Sequence, residues 1–520
     1  MDDRAESPPP ELIQALRRQL GAGGEVVELV ETHISWVLMA GDRAWKIKKP
    51  VRLGFLDFSS LARRRHFCEE ELRLNRRYAP SIYLDVLPIA GTLGAPDLGG
   101  NGAPIEFALH MKRFPPRALF SELLADDRLL PAHIDALARR IAALQAQADV
   151  AATDSPWGRP ADIVAGTAAV LDRLAAQGEP VADLRDWLAT QAQALAPLWL
   201  QRRRDGWVRE CHGDLHLGNA VLLDDGVTAF DCIEFDPALR WIDVQSDIAF
   251  MAMDLLAHRR ADLAWRFVNA WLDASGDHAG VPLLRFHLAY RALVRALVER
   301  LHAPAAGEPL AADYLALARR MALQPPGPRL LVTHGLSGSG KSWLTQGLLE
   351  AAGALRLRSD VERKRLFGLA ALEDSAARVA GGIYSPGATR RTYAQLLLRA
   401  EGMLRAGWPV IVDAASLRRA ERERFAGLAA GLGAPYLLLD CQADVATLRR
   451  RVRERATRHD DVSEADMAVL ERQFGQDEAP TGAELADVLT VRTDRPLDVA
   501  ALAATWRARP LSTPAARPGS

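Results

Sequence analysis

Apolar and polar positions alternate with a period of two through much of the first hundred residues. The runs EVVELVE, ISWVLMA and RAWKIKK read as β-strands, and Ala40, Gly41 and Asp42 supply a turn between the last two. Two further strand-like runs, YLDVLPIA and IEFALHM, flank residues 90–104, which read as a long hairpin loop. From about Leu119 to Met321 the spacing becomes helical, as in PAHIDALARRIAALQAQA and LLRFHLAYRALVRALVERL. The Pro-rich stretch LQPPGPR, Leu323 to Arg329, closes this part. Beyond it the apolar runs RLLVTH, PVIVDA and YLLLD alternate with helical segments, the pattern of a parallel sheet covered on both faces.

This patterning predicts an N-terminal segment over 1–22 and a first, α+β domain over 23–322, with a small antiparallel-sheet lobe and a helical lobe. A linker at 323–329 follows, then an α/β domain with a parallel sheet over 330–506 and a disordered tail over 507–520. A length of 520 residues fits that count. Hydrophobic residues at 49% and charged residues at 25% fit a packed globular interior.

Charge and cysteine content narrow the setting. Lys and Arg total 65 against 66 Asp and Glu, so no global field draws the chain to nucleic acid or to an anionic membrane. The opening MDDRAESPPP is acidic rather than basic and apolar, and no run of 18 apolar residues occurs. Cys68, Cys211, Cys232 and Cys441 are scattered with no CxxC pair, which reads as buried, reduced thiols in a cytoplasmic protein.

Two strings carry chemistry. The first is Gly335-Leu336-Ser337-Gly338-Ser339-Gly340-Lys341-Ser342, matching G-x-x-x-x-G-K-[ST] between the strand LLVTH and a helix starting near Lys341. Such a loop turns its backbone N–H groups inward as an anion cradle, with Lys341 for the β- and γ-phosphates of ATP and Ser342 for Mg²⁺. Farther on, Asp360 follows a short apolar strand and is the candidate for orienting or deprotonating an acceptor hydroxyl. Asp413 ends VIVDA, where it suits either a second carboxylate near Mg²⁺ or a plain helix N-cap. The cations from Arg449 to Arg458, Arg451 and Arg455 among them, suit either a lid that closes on the transferring phosphoryl group or a solvated helix face. Acidic neighbours Asp460, Asp461, Glu464 and Asp466, and the lack of aromatics, argue against a DNA-binding patch.

These motifs, with RSDVERKRLFG and GWPVIVDAASLRRAERERF, resemble the P-loop kinase family that includes gluconate kinase, polynucleotide kinase and zeta-toxin-like enzymes, over about Leu330 to Val491. The resemblance implies phosphorylation of a hydroxyl and leaves the acceptor open.

The second string is His212-Gly213-Asp214-Leu215-His216-Leu217-Gly218-Asn219, with Asp231 twelve residues later at the end of an apolar run. Phosphoryl transfer needs a carboxylate near the acceptor hydroxyl and metal ligands close by, and Asp214, Asn219 and Asp231 supply them. Upstream, Lys46 on AWKIKKP and Glu71 on CEEELRLNRR could together pin the α- and β-phosphates. Lys48 shares a strand face with Lys46, and Glu69 and Glu70 adjoin Glu71, so these choices stay open.

No Gly-rich G-x-G-x-x-G loop precedes Lys46. The strings HGDLHLGN, FDCIEF and WIDVQSDIAFMAMDL resemble the aminoglycoside and choline phosphotransferase superfamily, over about Val26 to Arg320. That likeness implies a protein-kinase-like fold, Asp214 as catalytic base, Asn219 and Asp231 as metal ligands, and Asp247 as a buried organiser of the loop. His212 and His216 read as loop braces rather than zinc ligands. An acidic rim for a cationic acceptor would have to come from residues such as Glu234, Asp236 and Asp243.

The expectation is therefore an ATP- and Mg²⁺-dependent kinase acting on a hydroxyl of a small molecule, with two ATP-binding domains. The alternatives are a nucleotide-gated regulatory protein and, against the charge balance, a polynucleotide-end kinase.

Overall fold

The computed structural model describes residues 10–53, 56–301, 312–371, 373, 383–458 and 462–510. The expected tail lies outside the described residues from 511 onward, as do the side chain of Arg458 and residues Asp460 and Asp461. The chain divides into two compact units, Met1–Arg159 with Arg202–Asp247 and Pro160–Gln201 with Ile248–Ser520.

The first unit opens with helix α1 (Glu11–Leu20) and strands β1 (Glu28–Glu31), β2 (Ser35–Ala40) and β3 (Arg43–Lys48). Helix α2 (Leu61–Tyr78), strands β4 (Tyr83–Gly91), β5 (Pro96–Leu98) and β6 (Glu106–Lys112) and helix α3 (Pro131–Gln147) follow. The antiparallel sheet runs β1-β2-β3-β6-β4-β5. Residues 90–104 are more than a loop: Gly91, at φ +84°, turns the chain so that Pro96–Leu98 pairs back on β4 as an edge strand. Within the 1–22 segment, whose residues 1–9 lie outside the described residues, Glu11–Leu20 is helical and packs Leu12, Ile13 and Leu16 against Trp36, Leu38 and Ile47. The alternation of the strands explains this core, because every second side chain faces the helix.

Two small ladders then carry the HGD loop. Strands β7 (Val208–Glu210) and β10 (Trp241–Asp243) pair with each other, as do β8 (Ala220–Leu223) and β9 (Gly226–Ala229).

The second unit contains helices α4 (Val281–Leu301) and α5 (Tyr314–Leu323), preceded by the helix Ala261–Ser275, and a five-stranded parallel sheet. Its strands are β11 (Arg329–His334), β12 (Leu355–Arg358), β13 (Pro409–Asp413), β14 (Tyr436–Gln442) and β15 (Val488–Arg492), in the order β12-β13-β11-β14-β15. Helices α6 (Lys341–Ala352), α7 (Ser359–Leu366), α8 (Pro386–Arg405), α9 (Arg419–Gly431), α10 (Val445–Arg458) and α11 (Met467–Phe474) connect and flank them. The central strands are buried along almost their whole length, as a sheet covered on both faces requires.

The helix Ala261–Ser275 belongs by sequence to the kinase-like half, yet it packs with the P-loop sheet. Asn269 donates to the Ala354 carbonyl at 2.9 Å and accepts the Arg356 N–H at 2.6 Å, standing in for a neighbouring strand at the sheet edge. Trp265 meets Trp408 edge to face at 5.3 Å, and Arg266 pairs with Glu350 at 2.8 Å. Among the described residues no helix is long and apolar enough to cross a membrane. All four cysteines are buried and free.

Candidate functional site

The site of the first unit is assembled from side chains far apart in sequence. Lys46 reaches Glu71 at 2.8 Å and Asp231 at 2.7 Å. Lys48, one period-two step along β3, is buried instead: its ammonium bonds Glu71 at 2.6 Å and also Glu234. Both lysines therefore share Glu71, but only Lys46 stands beside Asp231, whose side chain is 42% exposed. Glu70 is committed to Arg73 and Arg240, and Glu69 to Arg65.

Burial opposes charge throughout this cluster, but the paired ions outweigh it. Asp231, Glu71 and Glu234 hold the Lys46 ammonium well above its ordinary pKa, and Lys46 and Lys48 bring Glu71 down to about 2. For Glu234 burial wins, and its carboxyl is raised.

The loop that presents Asp214 is tied down by Asp247, which is fully buried. Asp247 accepts the Gly213 N–H at 2.9 Å, the His212 N–H at 3.3 Å and the Gln145 amide at 3.0 Å. Gly213 has φ +85°, and a Cβ there would stand 2.7 Å from the Leu239 carbonyl, so the turn needs glycine. The Asn219 amide nitrogen donates to the Asp214 carbonyl at 2.9 Å and to its carboxylate at 3.0 Å.

His212 bonds the Phe230 carbonyl, and His216 accepts the Gly218 N–H while lying 3.3 Å from Asp214, so both imidazoles brace the loop. Asp231 is held at φ +61°, a strained conformation for a residue with a side chain, with its N–H donated to the Tyr83 hydroxyl. No acidic rim forms from the carboxylates that follow: Glu234 is buried on Lys48, Asp243 on Arg202, and Asp236 caps a short helix.

In the second unit the cradle is local. Gly335, Gly338 and Gly340 all have positive φ, and a Cβ at Gly335 would lie 2.4 Å from the Cys441 carbonyl, while one at Gly338 would lie 2.7 Å from that of Leu448. Lys341 curls over the loop to donate to the carbonyls of Gly335 and Leu336 at 2.8 Å each and to the Ser339 hydroxyl at 3.3 Å. Burial lowers its ammonium pKa, offset in part by Cys441, Asp413 and Asp360. Ser342 follows it in the first turn of α6.

Asp413, at the end of β13, is 4% exposed and accepts the Thr345 hydroxyl at 3.3 Å. It caps no helix, since α9 begins at Arg419 with Arg418 as N-cap. Lys341, Ser342, Asp360 and Asp413 line one cavity of about 570 Å³.

The arginines of α10 divide by face. Arg449 and Arg450 pair outward with Glu471 and Glu454, whereas Arg451 and Arg455, one turn apart, line the cavity. Arg451 clamps the loop from outside through the Gly338 carbonyl at 3.2 Å and Thr493. Arg455 donates to the Ala465 carbonyl. The structure also brings in residues that sequence reasoning did not assign: Trp343, Arg363, Arg390, Arg418 and Gln473, which accepts the Ser337 N–H at 2.8 Å. A signal for one of them was present, since Arg418 is the N-cap of α9, where the macrodipole disfavours cations.

Both donor sets fit a magnesium-bound nucleotide. The glycine loop leaves no room for Cβ atoms, and Lys341 has no carboxylate partner among the described residues. Asp231 stands beside Lys46, Asn219 bonds Asp214 and its backbone carbonyl accepts the N–H of Phe230 next to Asp231, and Mg²⁺ usually takes one or two such oxygen ligands with phosphates completing its shell.

The first unit thus combines an antiparallel sheet with helices, and the second builds a P-loop on a parallel sheet. A family profile described as an AAA domain matches residues 330–480. Uncharacterized proteins of Mycobacterium tuberculosis and Mycobacterium bovis are 29% identical over 457 residues, covering 85% of this chain and 89% of theirs. Among solved structures, a gluconokinase from Sinorhizobium meliloti is 21% identical with a TM-score of 0.26, over 35% of this chain and 92% of its own. A choline/ethanolamine kinase family protein from Mesorhizobium loti is 12% identical with a TM-score of 0.37, over 60% of this chain and 96% of its own.

Proposed function

We propose that the chain is an ATP-dependent phosphotransferase that phosphorylates a hydroxyl of a small molecule, with a nucleotide site in each unit. The observation that carries this reading is the single cavity shared by Lys341 and Asp360, because phosphoryl transfer needs a cation at the γ-phosphate and a carboxylate at the acceptor in one space. Mg·ATP supplies the phosphoryl group and part of the charge neutralisation.

In the second unit Gly335 to Gly340 cradle phosphates with backbone N–H groups, and Lys341 exchanges its loop carbonyls for the β- and γ-oxygens. Ser342 and Asp413 hold the metal, Arg451 keeps the loop in shape, and Arg455 faces the transferring group. Asp360 takes the hydroxyl proton as the acceptor oxygen bonds to the γ-phosphorus and the bridging P–O bond breaks, its electron pair leaving with ADP.

In the first unit Lys46, oriented by Glu71, anchors the α- and β-phosphates. Asn219 and Asp231 ligate the metal, and Asp214 serves as base. The four buried thiols suit a reducing cytoplasm.

The test is acceptor-stimulated ADP formation by the full chain across sugars, amino alcohols and aminoglycosides, for wild type, Lys341→Ala, Asp360→Asn, Asp214→Asn and their combinations. Each change should remove transfer at its own site. Acceptor-dependent ADP release that survives Asp214→Asn and Lys341→Ala together would overturn the reading.

A second reading, a nucleotide-gated regulator, draws on the hold that Asn269 has on β12, next to Asp360. If Asp360→Asn leaves every ATP-dependent behaviour intact, this reading gains.

A further inference from the structure

One backbone N–H of the glycine loop is given to a side chain from a helix more than a hundred residues away. Within the loop, Gly335 donates to the Ala415 carbonyl and Ser339 to that of Leu336. Ser337 donates instead to the amide oxygen of Gln473, on α11, at 2.8 Å. An acceptor oxygen from the protein thus sits on a loop whose N–H groups are built to face anions.

The place of that contact matters. Lys341 holds its ammonium 2.8 Å from the carbonyls of Gly335 and Leu336, the two residues before Ser337. The ammonium and the Gln473 amide therefore stand at the same end of the loop, the end that the lysine of such a loop gives to the β- and γ-phosphates. Only the oxygen of an amide can accept an N–H, so Ser337 fixes which way the Gln473 side chain is turned. Its Nε2 group donates to no protein group among the described residues, and the side chain lines the cavity that Lys341 and Asp360 share.

Gln473 is also held from three directions. Leu336 of the loop packs with Met467 and Phe474 of α11 against Leu448, Val452 and Leu470. Asp477, just beyond α11, meets Nε2 of His334 at 3.0 Å, and Nδ1 of the same imidazole meets Asp440 on β14 at 2.8 Å. His334 is the last residue of β11 before the loop. Glu478 then accepts the Arg419 N–H at 2.7 Å and donates its own N–H to the Leu417 carbonyl. The loop, its strand and the start of α9 thus all fix the segment that carries Gln473. A dipole held in advance needs no reorganisation when charge develops in front of it.

We infer that Gln473 is a γ-phosphate-binding residue of the second unit: its carbonyl keeps the Ser337 N–H while its Nε2 donates to a γ-phosphate oxygen, lengthening the backbone cradle by one side chain. This rests on the Mg·ATP site proposed above and adds a contact that ADP cannot make. The residue type fits both tasks. Lys and Arg have no acceptor for the Ser337 N–H, and a carboxylate accepts it but repels the phosphate.

Calorimetry on the full chain tests this with Mg·ADP and with Mg·AMP-PNP, an ATP analogue that keeps the γ-phosphate. Wild type, Gln473→Glu and Gln473→Met are compared, and the second unit's site is the one whose affinity shifts in Lys341→Ala. Gln473→Glu keeps an acceptor for Ser337 and loses the donor, whereas Gln473→Met loses both. In each variant the affinity for AMP-PNP should fall about tenfold or more, as for a lost hydrogen bond to a charged group, with ADP affinity nearly unchanged. Thermal unfolding checks that both variants fold.

Equal losses for the two nucleotides, the mark of a residue that only shapes the loop, overturn the contact, as does the absence of any loss. A loss seen in Gln473→Glu alone is repulsion by the new charge and overturns it too. If AMP-PNP binding falls as expected while Lys341→Ala and Asp360→Asn leave acceptor-stimulated ADP formation unchanged, the phosphotransfer reading fails and the γ-phosphate contact stands. If those two changes abolish transfer while both nucleotides respond equally to the Gln473 variants, the contact alone fails.

Discussion

The two candidate nucleotide sites of this chain reach similar chemistry by opposite constructions. In the second unit the phosphate cradle is eight consecutive residues between a strand and a helix, and its donors are backbone N–H groups set by three glycines at positive φ. In the first unit the cluster joins Lys46, Glu71, Asp214, Asn219, Asp231 and Asp247, spread over 202 positions of sequence. The comparison teaches where each site is vulnerable. A backbone cradle tolerates any neighbour that leaves its turns intact, whereas a convergent cluster of side chains depends on buried ion pairs such as Lys48 with Glu71 and Glu234, which serve the fold as much as the chemistry.

Four experiments would break or sharpen this contrast. The largest effect is expected from Lys341→Ala, which should lower turnover at the second site about 10³-fold in a single-turnover assay while the thermal midpoint hardly moves. Asp214→Asn should cost the first site about 10²- to 10³-fold in kcat with nucleotide affinity retained by calorimetry; an unchanged kcat removes Asp214 from the reaction.

The pair Lys46→Met and Lys48→Met separates chemistry from fold within one strand. Loss of Lys48 strands the buried Glu234 and leaves Glu71 to Lys46 alone, and should cost roughly 3 to 5 kcal/mol in chemical denaturation, whereas loss of Lys46 should act mainly on the KM for ATP. Equal effects of the two would erase the distinction between them.

The smallest effect is a pH dependence of the second unit. Burial, with Arg399 and Arg365 adding to it, lowers the His278 pKa well below its ordinary value. The Arg399 guanidinium stands 2.6 Å from its Nδ1, which also faces the Gly276 carbonyl at 3.2 Å, so a proton added to the imidazole would meet a fixed cation. The unfolded chain therefore binds a proton below about pH 6.5 that the folded chain refuses, so this stability is present above that pH and is lost on acidification by up to about 1.4 kcal/mol per pH unit. His278→Asn should flatten that limb of a plot of unfolding free energy against pH.

Legibility in the sequence followed the same division. The glycine loop, its strand and its helix could be read directly, as could the strand alternation and the spacing of Asp214, Asn219 and Asp231. Residues 90–104 read only as a loop, because a three-residue edge strand such as Pro96–Leu98 has too little pattern to stand out and forms only where β4 offers a free edge. The choice between Lys46 and Lys48 was closed to periodicity, since both point to one face of β3. The helix Ala261–Ser275 read as part of the kinase-like half, and nothing in its own sequence marks Asn269 as the residue that finishes the P-loop sheet.

The sequence by itself determined what is local. It set the anion cradle, because glycine torsions and consecutive N–H groups need no distant partner, and it set the strand and helix periods that make one sheet antiparallel and the other parallel. Only the tertiary structure decided which carboxylates face a site and which are consumed inside, as with Glu234 and Asp243, and which arginines gather around the cavity. Those outcomes depend on burial and on approach between segments far apart in the chain, where a shift of a few ångströms turns a ligand into a structural ion pair.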